Sequence, residues 1–179
     1  MNHSFIYLGF PFSFPCFFST NNPKKKENGE LYAFGGNSKG QFGDGEIYDE
    51  ISPIPKLVSS EIRVKLISGG IEHSLIYTQD SRLIACGSNY YNQLGVKTEE
   101  EVQETFVEVM RDQNISQICC QCYGSVILRR NGDVLVFVYN EECQLGMNTK
   151  ASNSPFSIFE FICEKKTSFW RRKEERKPK

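Results

Sequence analysis

The feature that most constrains this chain is a threefold internal repeat. The run Leu31-Tyr32-Ala33-Phe34-Gly35-Gly36-Asn37 is followed by Gln41-Phe42-Gly43. Leu83-Ile84-Ala85-Cys86-Gly87-Ser88-Asn89 is followed by Gln93-Leu94-Gly95, and Val134-Leu135-Val136-Phe137-Val138-Tyr139-Asn140 by Gln144-Leu145-Gly146. Asn37 and Asn89 stand 52 residues apart, Asn89 and Asn140 51 apart. A period near fifty restricts the chain to stacked supersecondary units, because one such unit cannot bury its own apolar face.

The local chemistry makes each unit a hairpin. Just before each run stands a turn pair, Asn28-Gly29, Asp80-Ser81 or Asn131-Gly132. Asn-Gly suits a two-residue loop in which both positions need φ > 0. Apolar stretches at 74–77 and 125–128 precede two of these turns. The strands after the turns lack polar alternation, so burial on both faces is expected, as when small sheets pack side by side around an axis. Gly43, Gly95 and Gly146 are expected at sharp turns. Asn37, Asn89 and Asn140 are expected to end strands and bond the backbone beyond. Residues 99–112 read as a helix in isolation, with Val102, Phe106 and Val109 on one face; the repeat register calls instead for a loop and a strand, and the register is the longer-range signal.

With Ser68-Gly69-Gly70-Ile71-Glu72-His73-Ser74-Leu75 ahead of the second hairpin, the pattern resembles the regulator of chromosome condensation repeat, over roughly residues 31–162. The resemblance implies an all-β fold, a β-propeller of seven four-stranded blades of which about three are represented here. It also implies repeats that act as a protein-protein interaction scaffold and not as an enzyme. The founding type of the family promotes guanine-nucleotide exchange on a Ran-type small GTPase. Other members join the repeats to ubiquitin-ligase or BTB modules, as a targeting arm. The expected division is a Phe/Pro-rich N-terminal extension at 1–27, propeller repeats at 28–162 and a basic tail at 163–179. The third repeat departs from the pattern: Cys120-Gln121 and Gly124-Ser125 replace Gly69-Gly70 and His73-Ser74, and Val138 replaces the Gly of Gly35 and Gly87. The first lacks a Gly-x-x-His-Ser counterpart. Three repeats do not close a ring and leave sheet edges open. The chain is therefore expected to be a fragment of a longer protein, or to take its missing blades from another chain.

Charge separates the chain into two parts. Residues 165–179 hold eight Lys/Arg and two Glu, net +6, and the remainder 13 against 20, net −7. A whole-chain formal charge of −1 does not suit a dedicated nucleic-acid binder. Acidic runs fall at 44–50 and 99–104, between strands of the repeat, and are expected to meet a basic protein partner. The tail, with Phe169 and Trp170 among its basic residues, reads as a solvated end, the other reading being a nuclear-localisation or nucleic-acid segment. No run approaches the length of apolar sequence needed to span a membrane as a helix. The Phe-rich start has no leading Lys or Arg and is broken by Pro11 and Pro15, so a strand-like extension is expected there and not a signal peptide. The seven cysteines, at 16, 86, 119, 120, 122, 143 and 163, suggest no disulfide framework and fit a cytoplasmic or nuclear setting.

No residue stands out as catalytic, cofactor-binding or metal-ligating. Cys119 and Cys122 have Cys-x-x-Cys spacing, but zinc needs a second pair of ligands. These cysteines, with Cys120, are expected to be buried structural residues. His73 lies beside Ser74, yet neighbours on a strand point to opposite faces, so a structural histidine is expected. The pairs Gly35-Gly36 and Gly69-Gly70 lack the Gly-Lys-Ser/Thr of a phosphate loop.

Overall fold

The computed structural model describes residues 30–96 and 98–137 in full, and residues 3–6, 15–20, 138, 158–163 and 170–172 as backbone strand. Three antiparallel sheets follow one another along the chain. The first is β1 (His3–Ile6), β2 (Pro15–Thr20), β3 (Glu30–Asn37) and β4 (Tyr48–Ser59). The second is β5 (Val64–Gly69), β6 (His73–Thr78), β7 (Arg82–Ser88) and β8 (Val102–Arg111). The third is β9 (Ile115–Gln121), β10 (Gly124–Arg129), β11 (Val134–Val138), β12 (Ile158–Cys163) and β13 (Trp170–Arg172). Each sheet is a meander in which sequence neighbours pair, which is the plan of a propeller blade. The expected all-β propeller architecture is thus observed.

The continuous apolar strands are explained by stacking of the blades. Every residue of β6 is buried, and all of β7 except Arg82. Strand alternation sends Ile76 and Ile84 toward Leu31, Ala33 and Phe42 of the first blade. It sends Leu75, Tyr77, Leu83 and Ala85 toward Ile127, Leu135 and Phe137 of the third. The middle blade is therefore a two-faced core element. Fully burying one such side chain contributes about 1.5–3 kcal/mol, which makes stacking the main source of stability.

Residues 102–111 form strand β8, not a helix. Phe106 packs on the first-blade side, whereas Val109 and Met110 pack on the other. A strand places its side chains on two faces, and the register shift opposite Leu83 and Ile84 lets the neighbours Val109 and Met110 share one of them. The hairpin turns differ from the expected two-residue type. Three residues, 79–81, link β6 to β7, and only the second member of the turn pair has positive φ: Ser81 at 67°. Gly132, at φ 95°, holds the same place before β11. Ser81 N–H donates to Thr78 O at 3.1 Å and Gly132 N–H to Arg129 O at 3.0 Å. A tight turn followed by one left-handed residue is the usual solution for a three-residue loop. Asn28-Gly29, the third repeat's Asn140, Gln144 and Gly146, and the tail apart from Cys163 and β13 lie outside the described residues.

Candidate protein-interaction surface

In an antiparallel meander, the β3–β4, β5–β6, β7–β8 and β9–β10 connections emerge on one face. The repeated Asn-x-x-x-Gln motif shapes two of them identically. Asn37 Oδ1 accepts from Phe42 N–H at 2.9 Å and Asn89 Oδ1 from Leu94 N–H at 3.2 Å. Gln41 Oε1 accepts from Lys39 N–H and Gln93 Oε1 from Tyr91 N–H, both at 2.8 Å. The expected strand-ending role of these asparagines is met at both sites. Gly43 (φ 75°) and Gly95 (φ 73°) close the turns. A Cβ there would lie 2.5 Å from the Phe106 ring and 2.6 Å from the Phe137 ring, so these glycines admit an aromatic ring as well as a bend.

The Gln backbone carbonyls at this end then hold the next blade. Ser74 Oγ donates to Gln41 O at 2.7 Å, and Ser125 Oγ to Gln93 O at 2.8 Å. His73 points the opposite way from Ser74, with Nε2 2.9 Å from Ser125 Oγ. The Ser125 proton is committed to Gln93, so its oxygen accepts from Nε2–H. That makes Nε2 the nitrogen that carries the proton, and Nδ1 is buried without a hydrogen-bond partner. Burial lowers the His73 pKa to about 4 against a smaller opposing effect of the Gly124 backbone. His73 and Ser125 are both fully buried, so the pair joins blades and has no access to substrate. His73 is the structural histidine expected.

The cysteines require a correction. Cys120 is buried, but Cys119 and Cys122 are exposed. Alternation along β9 turns Cys119 away from the interface that Cys120 enters, and Cys122 sits in the β9–β10 turn at φ 44°. Cys120 donates to Ser68 O at 3.4 Å, and burial pushes its thiol pKa up to about 12. It is an inert core group. Among the described residues no three His, Cys, Asp or Glu converge as metal ligands. Neither Gly-Gly pair opens a helix; Gly35-Gly36 lies within β3.

The two acidic segments come together. Gly45 N–H donates to Glu104 O at 3.0 Å, and Asp44 forms a bridge with Thr105. Gly40 permits this contact, since a Cβ on it would stand 2.8 Å from Glu104 Cα. The loop of the first blade is thereby fastened to β8 of the second. Glu46, Glu99, Glu100 and Glu101 are exposed in the joined loops, and Asp49, Glu50 and Glu104 are exposed not between strands as expected but at the starts of β4 and β8. Lys56 bridges Asp44 (2.9 Å) and Glu46, and those carboxylates raise its pKa. Asp49, Glu50, Glu99, Glu101 and Glu104 have no ion-pair partner among the described residues. The spacing of the two runs in sequence gave no sign of this contact. The arrangement provides a negative ledge on rigid turns, a complement to a positively charged surface.

Residues 28–77 and 64–93 match models of the regulator of chromosome condensation (RCC1) repeat. The chain is 36% identical over 120 residues to the secretion-regulating guanine nucleotide exchange factor of Bos taurus, covering 65% of this chain and 26% of that protein. It is 26% identical over 136 residues to the ultraviolet-B receptor UVR8 of Arabidopsis thaliana, covering 75% of this chain and 31% of the receptor. The chain therefore spans a third or less of these curated relatives. Among solved structures, Prp20p from Saccharomyces cerevisiae superposes with a TM-score of 0.62 at 20% identity, over 75% of this chain and 33% of that one. That likeness concerns the fold.

Proposed function

We propose that this chain, which carries repeats of the regulator of chromosome condensation family, is a non-enzymatic interaction module that binds a basic protein through its acidic ledge. The observation that carries the reading is the Gly45–Glu104 hydrogen bond with the adjoining Asp44–Thr105 bridge. It joins acidic residues from two repeats into one surface on a frame with little freedom to rearrange. Rigid turns reduce the entropy lost on binding, and like charges held together steer an oppositely charged partner. The published description of Prp20p includes its binding to Gsp1p and histones; histones, being basic, serve as a suitable probe here. The test is the affinity of the full chain for a histone dimer, set beside a variant carrying Glu46→Gln, Glu99→Gln, Glu101→Gln and Glu104→Gln. Binding that weakens at least tenfold in the variant supports the reading, and unchanged affinity removes it.

A second reading is guanine-nucleotide exchange on a small GTPase of the Ran type. The 36% identity to an exchange factor supports it. Nucleotide release from a panel of small GTPases tests it, and no acceleration counts against it.

A further inference from the structure

Beside the acidic ledge, on the same face, stands a cluster of three tyrosines. Tyr90 and Tyr91 follow Asn89 in the β7–β8 connection, and Tyr123 belongs to the β9–β10 turn of the next blade. The Tyr90 and Tyr91 ring centroids lie 4.9 Å apart at 82°, and those of Tyr91 and Tyr123 5.1 Å apart at 56°. The outer two rings are open to solvent, Tyr90 at 63% and Tyr123 at 42%. The blade junction beneath is fixed by Ile71 N–H donating to Cys122 O at 3.2 Å.

The fold does not require these rings. The first repeat builds the same turn, with the same Gln side-chain hydrogen bond at 2.8 Å, using Ser38 and Lys39 where the second has Tyr90 and Tyr91. Glu72 occupies in the second repeat the place that Tyr123 takes in the third. Tyr90 and Tyr123 are exposed aromatics that the turns can do without, and such rings offer a binding surface.

The surroundings define that partner. Asn89 N–H donates to Glu101 O at 2.6 Å, which fastens the exposed Glu99-Glu100-Glu101 run beside the tyrosines. Ring faces carry negative quadrupole potential, and neighbouring carboxylates add to it. A phosphate-bearing strand would be repelled, whereas a guanidinium would stack on a ring and face a carboxylate.

We propose that Tyr90, Tyr91 and Tyr123 form a platform for an arginine side chain of a basic protein segment. The proposal rests on the acidic-ledge reading and specifies where one residue of the partner sits. It is tested by calorimetry on the full chain with a short synthetic peptide in which arginines alternate with glycine and serine. A twin peptide carries citrulline, the neutral isostere, in place of arginine. The arginine peptide is expected to bind and the citrulline twin to lose most of its affinity. Tyr90→Ala and Tyr123→Ala should each raise Kd about two- to fivefold, the range for an exposed cation–π contact. Tyr90→Phe and Tyr123→Phe should bind like the parent. Tyr90→Leu keeps apolar bulk without a π face, holds the turn should the alanine variant fold poorly, and should weaken binding as alanine does. The platform is overturned if the tyrosine variants leave Kd unchanged, if leucine binds like the parent, or if citrulline matches arginine. If only the tyrosine variants are silent while Glu99→Gln, Glu100→Gln and Glu101→Gln weaken binding, the platform falls and the ledge stands. If the parent ignores the arginine peptide, both fall.

Discussion

Acidification should loosen the junction between the second and third blades through one residue, His73. Its imidazole is fully buried and donates across the junction to Ser125, whose own proton is held by Gln93 O. Burial disfavours a second ring proton and takes the pKa from 6.5 to about 4, against a smaller opposing effect of the Gly124 backbone. Above pH 6.5 neither state binds the proton and stability does not depend on this group. As pH falls below 6.5, the unfolded chain takes up a proton that the native chain refuses, so stability is lost down to about pH 4 and then levels off. From these pKa values, the loss is about 2 kcal/mol by pH 5 and about 3 kcal/mol by pH 4. That is a large share of the ~5–15 kcal/mol typical of a domain. Urea unfolding at pH 7 and pH 5, followed by circular dichroism, measures it. His73→Gln keeps an N–H donor and cannot titrate in this range, so carboxylate contributions cancel in the comparison. The parent should lose about 2 kcal/mol more than His73→Gln between the two pH values. Equal losses would show that His73 is not buried neutral, and the proton assignment would be wrong.

Other consequences follow from the same geometry. Ser125→Ala leaves both His73 Nε2–H and Gln93 O buried without their partner, and should cost about 2–4 kcal/mol in a urea melt. Gly95→Ala places a methyl 2.6 Å from the Phe137 ring at φ 73°, and strain together with overpacking should remove about 2–4 kcal/mol. Cys119 and Cys122 should react quickly with iodoacetamide in the native protein, whereas Cys86 and Cys120 should react only on unfolding; alkylation mapped by mass spectrometry would show it. Asp112→Asn removes one partner of Arg129, in a part-buried pair at 2.6 Å, and should cost about 1–2 kcal/mol.

What the sequence made legible was whatever recurs in register. Asn37 and Asn89 were readable as strand ends because the same amide, the same gap and the same Gln-apolar-Gly ending occur twice in the described residues. Repetition also corrected the helix-like look of 99–112, because packing of Phe106 against one blade and Val109 against the next outweighs a local periodicity. The opposite orientations of His73 and Ser74 followed from strand alternation alone. Contacts that cross between repeats were not legible. Asp44 reaches Thr105, and Tyr91 reaches Tyr123, only because blades stack. Cys119 and Cys122 were expected to be buried because their type favours the interior, but the strand phase of β9 places only Cys120 there. Turn type was also beyond the sequence: Asp80-Ser81 signals a hairpin, yet loop length selected a single left-handed residue at Ser81.

Partner binding as proposed requires two acidic segments from different repeats to act as one surface. Hydrogen–deuterium exchange of the full chain, alone and with saturating histone dimer, addresses this most directly. Protection is predicted at 44–50 and 99–104 together, with the opposite-face turns at 79–81 and 130–133 unchanged. Protection of one acidic segment without the other, or of the opposite face, would contradict it.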